Sequence, residues 1–456
     1  MRLSAPRKVG LGSRGELQER KITKRGRWER PLEKGTLYRT SILPNGVRVL
    51  TENMASVRSA SLGIWADIGS AAERGEQRGI SHLVEHMLFK GTARRSAREI
   101  AEAMDGVGGN LNAFTDKETT CYYAKVIDRH VPLAVDVLAD MFLHSSFDAQ
   151  ELAKEQKVVL EEIRMYDDNP DDLIHDLFVR TMWRDSDLAE PTIGYAETVS
   201  ALTRDDLLAH VQQRYRPNAV VVAAAGNVEH EHIVELVSRA FEGYTGASQA
   251  IVPEQPKLTP ALSVRHKDTE QAYVVLGAQG LSVRDERRYV LSVLDTILGG
   301  GMSSRLFQEV REKRGLAYSV YSFQQGYRGA GLFGVSAGTS PESVQECVDV
   351  IVDQLAQVAE RGVEPGELRL AKEHIKGSLT LSLESTSSRM LRIGRSEFNL
   401  GRYLTTEEIE RRVDEVDGEQ IHALARELFA PENLGLCVLG PLDEAAIRWK
   451  RSAAVA

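Results

Sequence analysis

A chain of 456 residues is too long for one ordinary core and is expected to divide into two or more domains. Its 42% apolar and 27% charged content is that of a soluble globular protein, and a formal net charge of -9 offers no footprint for nucleic acid. No apolar run approaches the roughly 20 residues that span a bilayer, and the longest, AVVVAAA at 219–225, has the length of a buried strand.

The first 36 residues are basic, with scattered glycine and no apolar stripe, and are expected to form a disordered tail. They lack the apolar stretch of a secretory signal, and Glu16, Glu19, Glu29 and Glu33 count against an organelle transit peptide. Ordered structure is expected from near Tyr38. There, alternating apolar residues around Asn45-Gly46 predict a hairpin, and SASLGIWADIGS predicts a further strand. A helix follows over GISHLVEHMLFKGT, and another over 96–104. After Gly108 and Gly109, NLNAFTDKETTCYYAKVI is rich in Thr, Tyr and Val and reads as strand. Helical periodicity covers 130–144 and 148–166, and RPNAVVVAAAGNV closes this half with a buried strand.

Residues 246–260 carry three prolines and little periodicity, which marks a linker between domains at 37–245 and 261–447. Beyond the linker the order of elements repeats. EQAYVVLGAQG corresponds to the strand before the first helix, a helix is expected from near Arg287, and ENLGLCVLGPLDEAAI echoes PNAVVVAAAGNVEHEHI. Gly226 and Gly440 occupy matching places, so the fold expected is α+β, with two homologous domains of mainly antiparallel sheet packed with helices. Cys121, Cys347 and Cys437 lie far apart without a CxxC pair, which fits buried thiols in a reducing, cytoplasmic setting.

His82, Glu85 and His86 stand within an otherwise apolar run. Positions i and i+4 share a helix face, so both imidazoles can reach one zinc ion, and Glu85 lies beside them as a candidate base. Val293, Thr296 and Ile297 take these places in the second half, so only the first half carries this chemistry. Catalytic zinc takes a third protein ligand, and the 148–166 helix offers Glu151, Glu155, Glu161 and Glu162. Leu152, Val159 and Ile163 define its buried stripe. Glu155 and Glu162 fall to one side of that stripe, while Glu151 and Glu161 read as solvated.

HLVEH with KEQKVVLEEI resembles the inverted-motif zinc peptidases of the pitrilysin/insulinase family, in the small-subunit branch that includes the processing peptidases. The resemblance runs from about Tyr38 to near 445. It implies His82, His86 and Glu162 as ligands of one Zn2+ per chain, Glu85 as general base and Glu155 as a supporting acid beside them. It also implies that Asn112 and Ala113 lie against a peptide added at the sheet edge. Arg311 and Tyr318, seven residues apart, are implied to contact substrate and stabilise the oxyanion. Thr115 and Tyr122 read as ordinary strand formers. The expected activity is endopeptidase hydrolysis of short or unfolded peptides in a chamber enclosed by a homodimer, with no nucleic-acid or membrane partner. The alternatives are a non-catalytic structural or assembly subunit of the same fold, or a maturation protease for one peptide substrate.

Overall fold

The computed structural model describes residues 38–449 and two short backbone segments before them, β1 (Lys21–Ile22) and β2 (Trp28–Glu29), which pair antiparallel. The rest of the basic tail lies outside the described residues.

In the first half, β3 (Tyr38–Ile42) and β4 (Arg48–Asn53) form the hairpin around Asn45-Gly46. β5 (Ser59–Ala66) leads to α1 (Ile80–Leu88) and α2 (Ala97–Asp105), then β6 (Asn110–Thr115) and β7 (Thr120–Ile127). α3 (Val131–His144), α4 (Ala149–Asp168), α5 (Pro170–Met182), α6 (Ala196–Ala201) and α7 (Arg204–Arg214) precede β8 (Val220–Gly226) and α8 (His230–Ala240). The sheet order is β3-β4-β8-β5-β7-β6, antiparallel apart from the β4–β8 pair.

The second half holds β9 (Leu262–His266), β10 (Ala272–Gln279), α9 (Arg288–Gly299), β11 (Ala317–Gly326) and β12 (Gly331–Thr339). α10 (Val344–Arg361), α11 (Pro365–Ser382), α12 (Thr386–Leu400), α13 (Thr406–Asp414), α14 (Gly418–Leu428) and β13 (Gly435–Gly440) complete it. Its sheet runs β9-β13-β10-β12-β11, antiparallel apart from β9–β13, which repeats β4-β8-β5-β7-β6 strand for strand. The chain is therefore a mixed fold of two topologically matched halves.

Each sheet packs its own helices on one face, and on the other it receives a helix from the opposite half. Val220, Val222 and Ala224 face a core shared with α1, α3 and α8, whereas Val221, Ala223 and Ala225 face Met390, Ile393 and Phe398 of α12. Burial on both faces is why AVVVAAA is apolar without alternation. Reciprocally, Ile174, Phe178 and Met182 of α5 cover Val275, Cys437 and Leu439 of the second sheet. Asn169 accepts from Asp171 N–H and caps α5, separating it from α4 and turning it across to the other half.

Glycines in the two central strands admit these helices. A Cβ at Gly277 would stand 2.8 Å from Phe178 Cζ, and one at Gly63 would stand 2.7 Å from Met390 Sδ. Phe178 is fully buried, so Phe178→Ala is expected to cost about 3–5 kcal/mol by opening a cavity between the halves. Chemical denaturation reads this as a shift in midpoint; a loss under 1 kcal/mol would mean that α5 does not hold the second sheet.

Candidate metal centre

Packing and capping together place α1. Ile80, Leu83, Val84, Met87 and Leu88 are buried against the first sheet, which leaves His82, Glu85 and His86 on the opposite, half-buried face. Gly79 adopts φ 91°, a left-handed conformation that favours glycine, at the point where the chain enters the helix. The buried Glu73 carboxylate accepts from the Gly79 N–H at 2.6 Å and the Ser81 N–H at 2.8 Å, satisfying donors that a helix start leaves free. Burial pushes the Glu73 carboxyl up to about 7, opposed by those hydrogen bonds and by Arg78.

α4 crosses beside α1, capped by Asp148 and anchored by buried Leu152 and Val159. Glu155 is buried on the side facing α1, and Glu162, two turns on, is half-exposed. Glu161 is turned to solvent and pairs with Arg164, while Glu151 pairs with Lys154.

Glu162 Oε2 lies 3.8 Å from His82 Nε2 and 3.6 Å from His86 Nε2, and one donor atom from each of the three residues lies within 4.8 Å of the others. Two ligands held 2.0–2.1 Å from a tetrahedral zinc would stand about 3.4 Å apart, so this donor set fits zinc in both kind and spacing. Among the described residues, these three form the only cluster of this kind.

The protonation states suit ligation as well. His86 Nδ1 lies 3.1 Å from Glu155 Oε2, and the tautomer with its proton on Nδ1, facing that carboxylate, is the one that offers the Nε2 lone pair to a metal. Glu155 Oε1 is held in turn by Lys90 Nζ at 2.7 Å. Burial, then the neighbouring His86, holds His82 down at about 3, so its imidazole is neutral. His82 Nδ1 is buried without a hydrogen-bond partner among the described residues. If Glu155 orients His86, Glu155→Gln is expected to weaken zinc binding about 10–100-fold while leaving the chain folded. A competitive zinc titration measures this, and unchanged affinity would remove Glu155 from the site.

Glu85 stands next to His86 on the same face, and burial is the largest influence on its carboxyl, raising it. Thr115 at the end of β6 opposes that shift, its Oγ1 donating to Glu85 Oε2 at 2.5 Å. Thr115 is thus more than a strand former, whereas Tyr122 is a core residue bonded to Tyr215 at 3.1 Å. Sequence reading also passed over Glu73 and Lys90, which act through folded contacts. The one available cue for Thr115 is its place two residues after Ala113, on the same strand face.

Asn112 and Ala113 lie on β6, the edge strand, which among the described residues pairs only with β7. The Ala113 N–H donates to Asn112 Oδ1 at 2.8 Å. Arg311 and Tyr318 come together in the second half. Arg311 Cζ sits 4.8 Å from the Tyr318 ring centroid and 4.8 Å from that of Phe307, within a π-helical turn (Phe307–Glu312). An irregular register between Ala317 and Ser319 displays Tyr318 outward, 78% exposed. Among the described residues, no hydrogen bond or ion pair joins either residue to His82, Glu85, His86 or Glu162. In the second half, Val293 and Ile297 are buried in the core and Thr296 bonds back to the Ser292 carbonyl, so α9 presents no donor set.

Comparison with known proteins agrees with this architecture. The family model for insulinase, peptidase family M16, matches residues 48–195, and the model for the peptidase M16 inactive domain matches residues 201–375. The uncharacterized zinc protease YmxG of Bacillus subtilis is 46% identical over 397 residues, covering 87% of this chain and 97% of that protein. The uncharacterized zinc protease SCO5738 of Streptomyces coelicolor is 45% identical over 418 residues, covering 90% and 91%. Two solved structures share the fold at 23% identity and a TM-score of 0.83. They are a peptidase M16 inactive domain from Pseudomonas fluorescens (89% of this chain, 98% of that chain) and a protease from Helicobacter pylori (89% and 100%). The chain belongs to the insulinase family of peptidases, M16.

Proposed function

We propose that this protein is a zinc-dependent endopeptidase acting on short or unfolded peptides, with His82, His86 and Glu162 as the zinc ligands. The observation that carries this reading is the convergence of those three donor atoms within 4.8 Å on the face that also presents Glu85. Zinc bound there supplies Lewis-acid polarisation of a carbonyl and acidifies water. Glu85, held by Thr115 and raised by burial, accepts the proton of the attacking water and delivers it to the leaving amine. Glu155 keeps His86 in its ligating tautomer, and Lys90 neutralises Glu155.

The open edge of β6 offers the scissile peptide main-chain pairing at Asn112 and Ala113, which grips extended chains with little regard to side chain. The Arg311–Tyr318 pair supplies a cation and a phenol donor for the oxyanion. A homodimer supplies the four domains that would enclose a chamber, and enclosure selects unfolded peptides. The second half matches a model named for an inactive domain, and its lack of donors at Val293, Thr296 and Ile297 supports a division of labour between the halves.

The test is whether the purified chain carries one equivalent of zinc and cleaves a quenched, unstructured peptide. Stoichiometric zinc without cleavage would favour a structural subunit of the same fold.

A further inference from the structure

Building on the endopeptidase reading, the geometry points to Arg328 of the second half as a positioning residue for Glu85, acting through the β6–β7 turn. Arg328 lies in the tight turn between β11 and β12, closed by the Tyr327 N–H donating to the Ala330 carbonyl at 2.8 Å. The residue is buried, at 7% exposure, and among the described residues its hydrogen-bond and ion-pair partners there belong to the first half. Nη1 donates to Asp67 Oδ1 at 2.7 Å, the backbone N–H to Glu118 Oε2 at 2.9 Å, and Nη2 to the Glu118 carbonyl at 3.4 Å. Nε stands 3.2 Å from Glu118 Oε1.

These two acids are the roots of the two segments that hold Glu85. Glu118 lies in the tip of the β6–β7 turn, whose form is set by Asp116 Oδ1 accepting from the Glu118 and Thr119 N–H groups at 2.8 and 2.7 Å. One residue before Asp116 is Thr115, the hydrogen-bond donor to Glu85. Asp67 begins the strap that runs over this tip, where the Ser70 N–H donates to the Asp116 carbonyl at 3.1 Å and the Ala71 N–H to the Lys117 carbonyl at 2.9 Å. The strap then reaches Glu73, which caps the first turn of α1.

A planar guanidinium suits this task, because two of its nitrogens hydrogen-bond the Asp67 carboxylate and the Glu118 main-chain carbonyl at once, while its charge stands beside the Glu118 carboxylate. Arg328 thereby sets the distance between Thr115 and Glu85 while its own hydrogen bonds and ion pairs go to Asp67 and Glu118. This differs from Arg311 and Tyr318, which would touch substrate.

The experiment uses the zinc-loaded full chain with Arg328→Met, Glu118→Gln, Thr115→Val and the Arg328→Met/Thr115→Val double variant. Amide exchange read by mass spectrometry is expected to accelerate over 66–90 and 108–122 in Arg328→Met, with the second sheet unchanged. Bound zinc is expected to stay at one equivalent. Misplacement of a reacting group by about 1 Å costs up to about 10²-fold, so kcat for the quenched peptide is expected to fall about tenfold, with KM within about twofold. The double variant is expected to be far less impaired than the product of the two singles, because both act on one contact.

A merely structural Arg328 would give multiplicative losses, and that result overturns the inference. So does exchange that changes only around the 327–330 turn with kcat intact. If Arg328→Met fails to fold, Glu118→Gln carries the test, with the same exchange pattern required. If the wild type holds zinc but cleaves nothing, the endopeptidase reading fails on its own, and the exchange pattern still decides the coupling.

Discussion

Glu85→Gln is expected to lower kcat for an unstructured quenched peptide by about 10²–10⁴-fold, the usual contribution of a positioned acid–base group. The substitution keeps the size of the side chain, and its amide oxygen can still accept the Thr115 hydroxyl that now bonds Glu85 at 2.5 Å. The amide cannot take a proton at working pH. His82, His86 and Glu162 are untouched, so zinc measured by atomic absorption should remain at one equivalent and the thermal midpoint should not fall. Because Glu85 is buried and its carboxyl is raised by that burial, removing its charge relieves a desolvation cost. A variant that is more stable and inactive is therefore the expected combination. If Glu85→Gln cleaves as well as wild type, Glu85 is not the base.

Glu162→Ala is expected to remove zinc outright, with an affinity loss beyond the roughly 10–100-fold that follows loss of an orienting partner. Glu162 is the only carboxylate in the donor set and joins α4 to the two imidazoles of α1. Its half-exposed position means that truncation opens no cavity in the core, so the variant should fold. Wild-type protein should gain thermal stability with added zinc, by about 2.7 kcal/mol at a hundredfold excess over Kd. The variant should show no zinc-dependent shift over the same range. A zinc-dependent shift of wild-type size in Glu162→Ala would place the metal elsewhere. His86→Ala is the less clean choice, since it also strips Glu155 of a partner 3.1 Å away.

The parts of this site that were legible beforehand obey local periodicity. His82 and His86 are one helical turn apart, and the buried stripe Leu152, Val159 and Ile163 turns Glu155 and Glu162 to one side of α4. α4 does bury Leu152 and Val159 and leaves Glu161 in solvent. The repeat was visible in two strand pairs, β5 with β10 and β8 with β13, because these strands keep equivalent burial. α5 was not visible as a separate element, and its packing could not be inferred. Its apolar residues show that some surface is buried, but nothing in a helical stripe names the sheet that covers it. That choice rests on Gly277, which leaves room for Phe178, and on Asn169, which redirects the chain.

Neighbouring residues alone therefore encode two matched halves and one polar helix carrying His82, Glu85 and His86, because repeat order and helical phase are local properties of the chain. How those residues are held depends on the folded chain. Thr115 reaches Glu85 across 30 positions, Glu155 reaches His86 across 69, and Arg328 reaches Asp67 across 261. A hydrogen bond between side chains so distant depends on where two whole elements come to rest, and no local spacing encodes that.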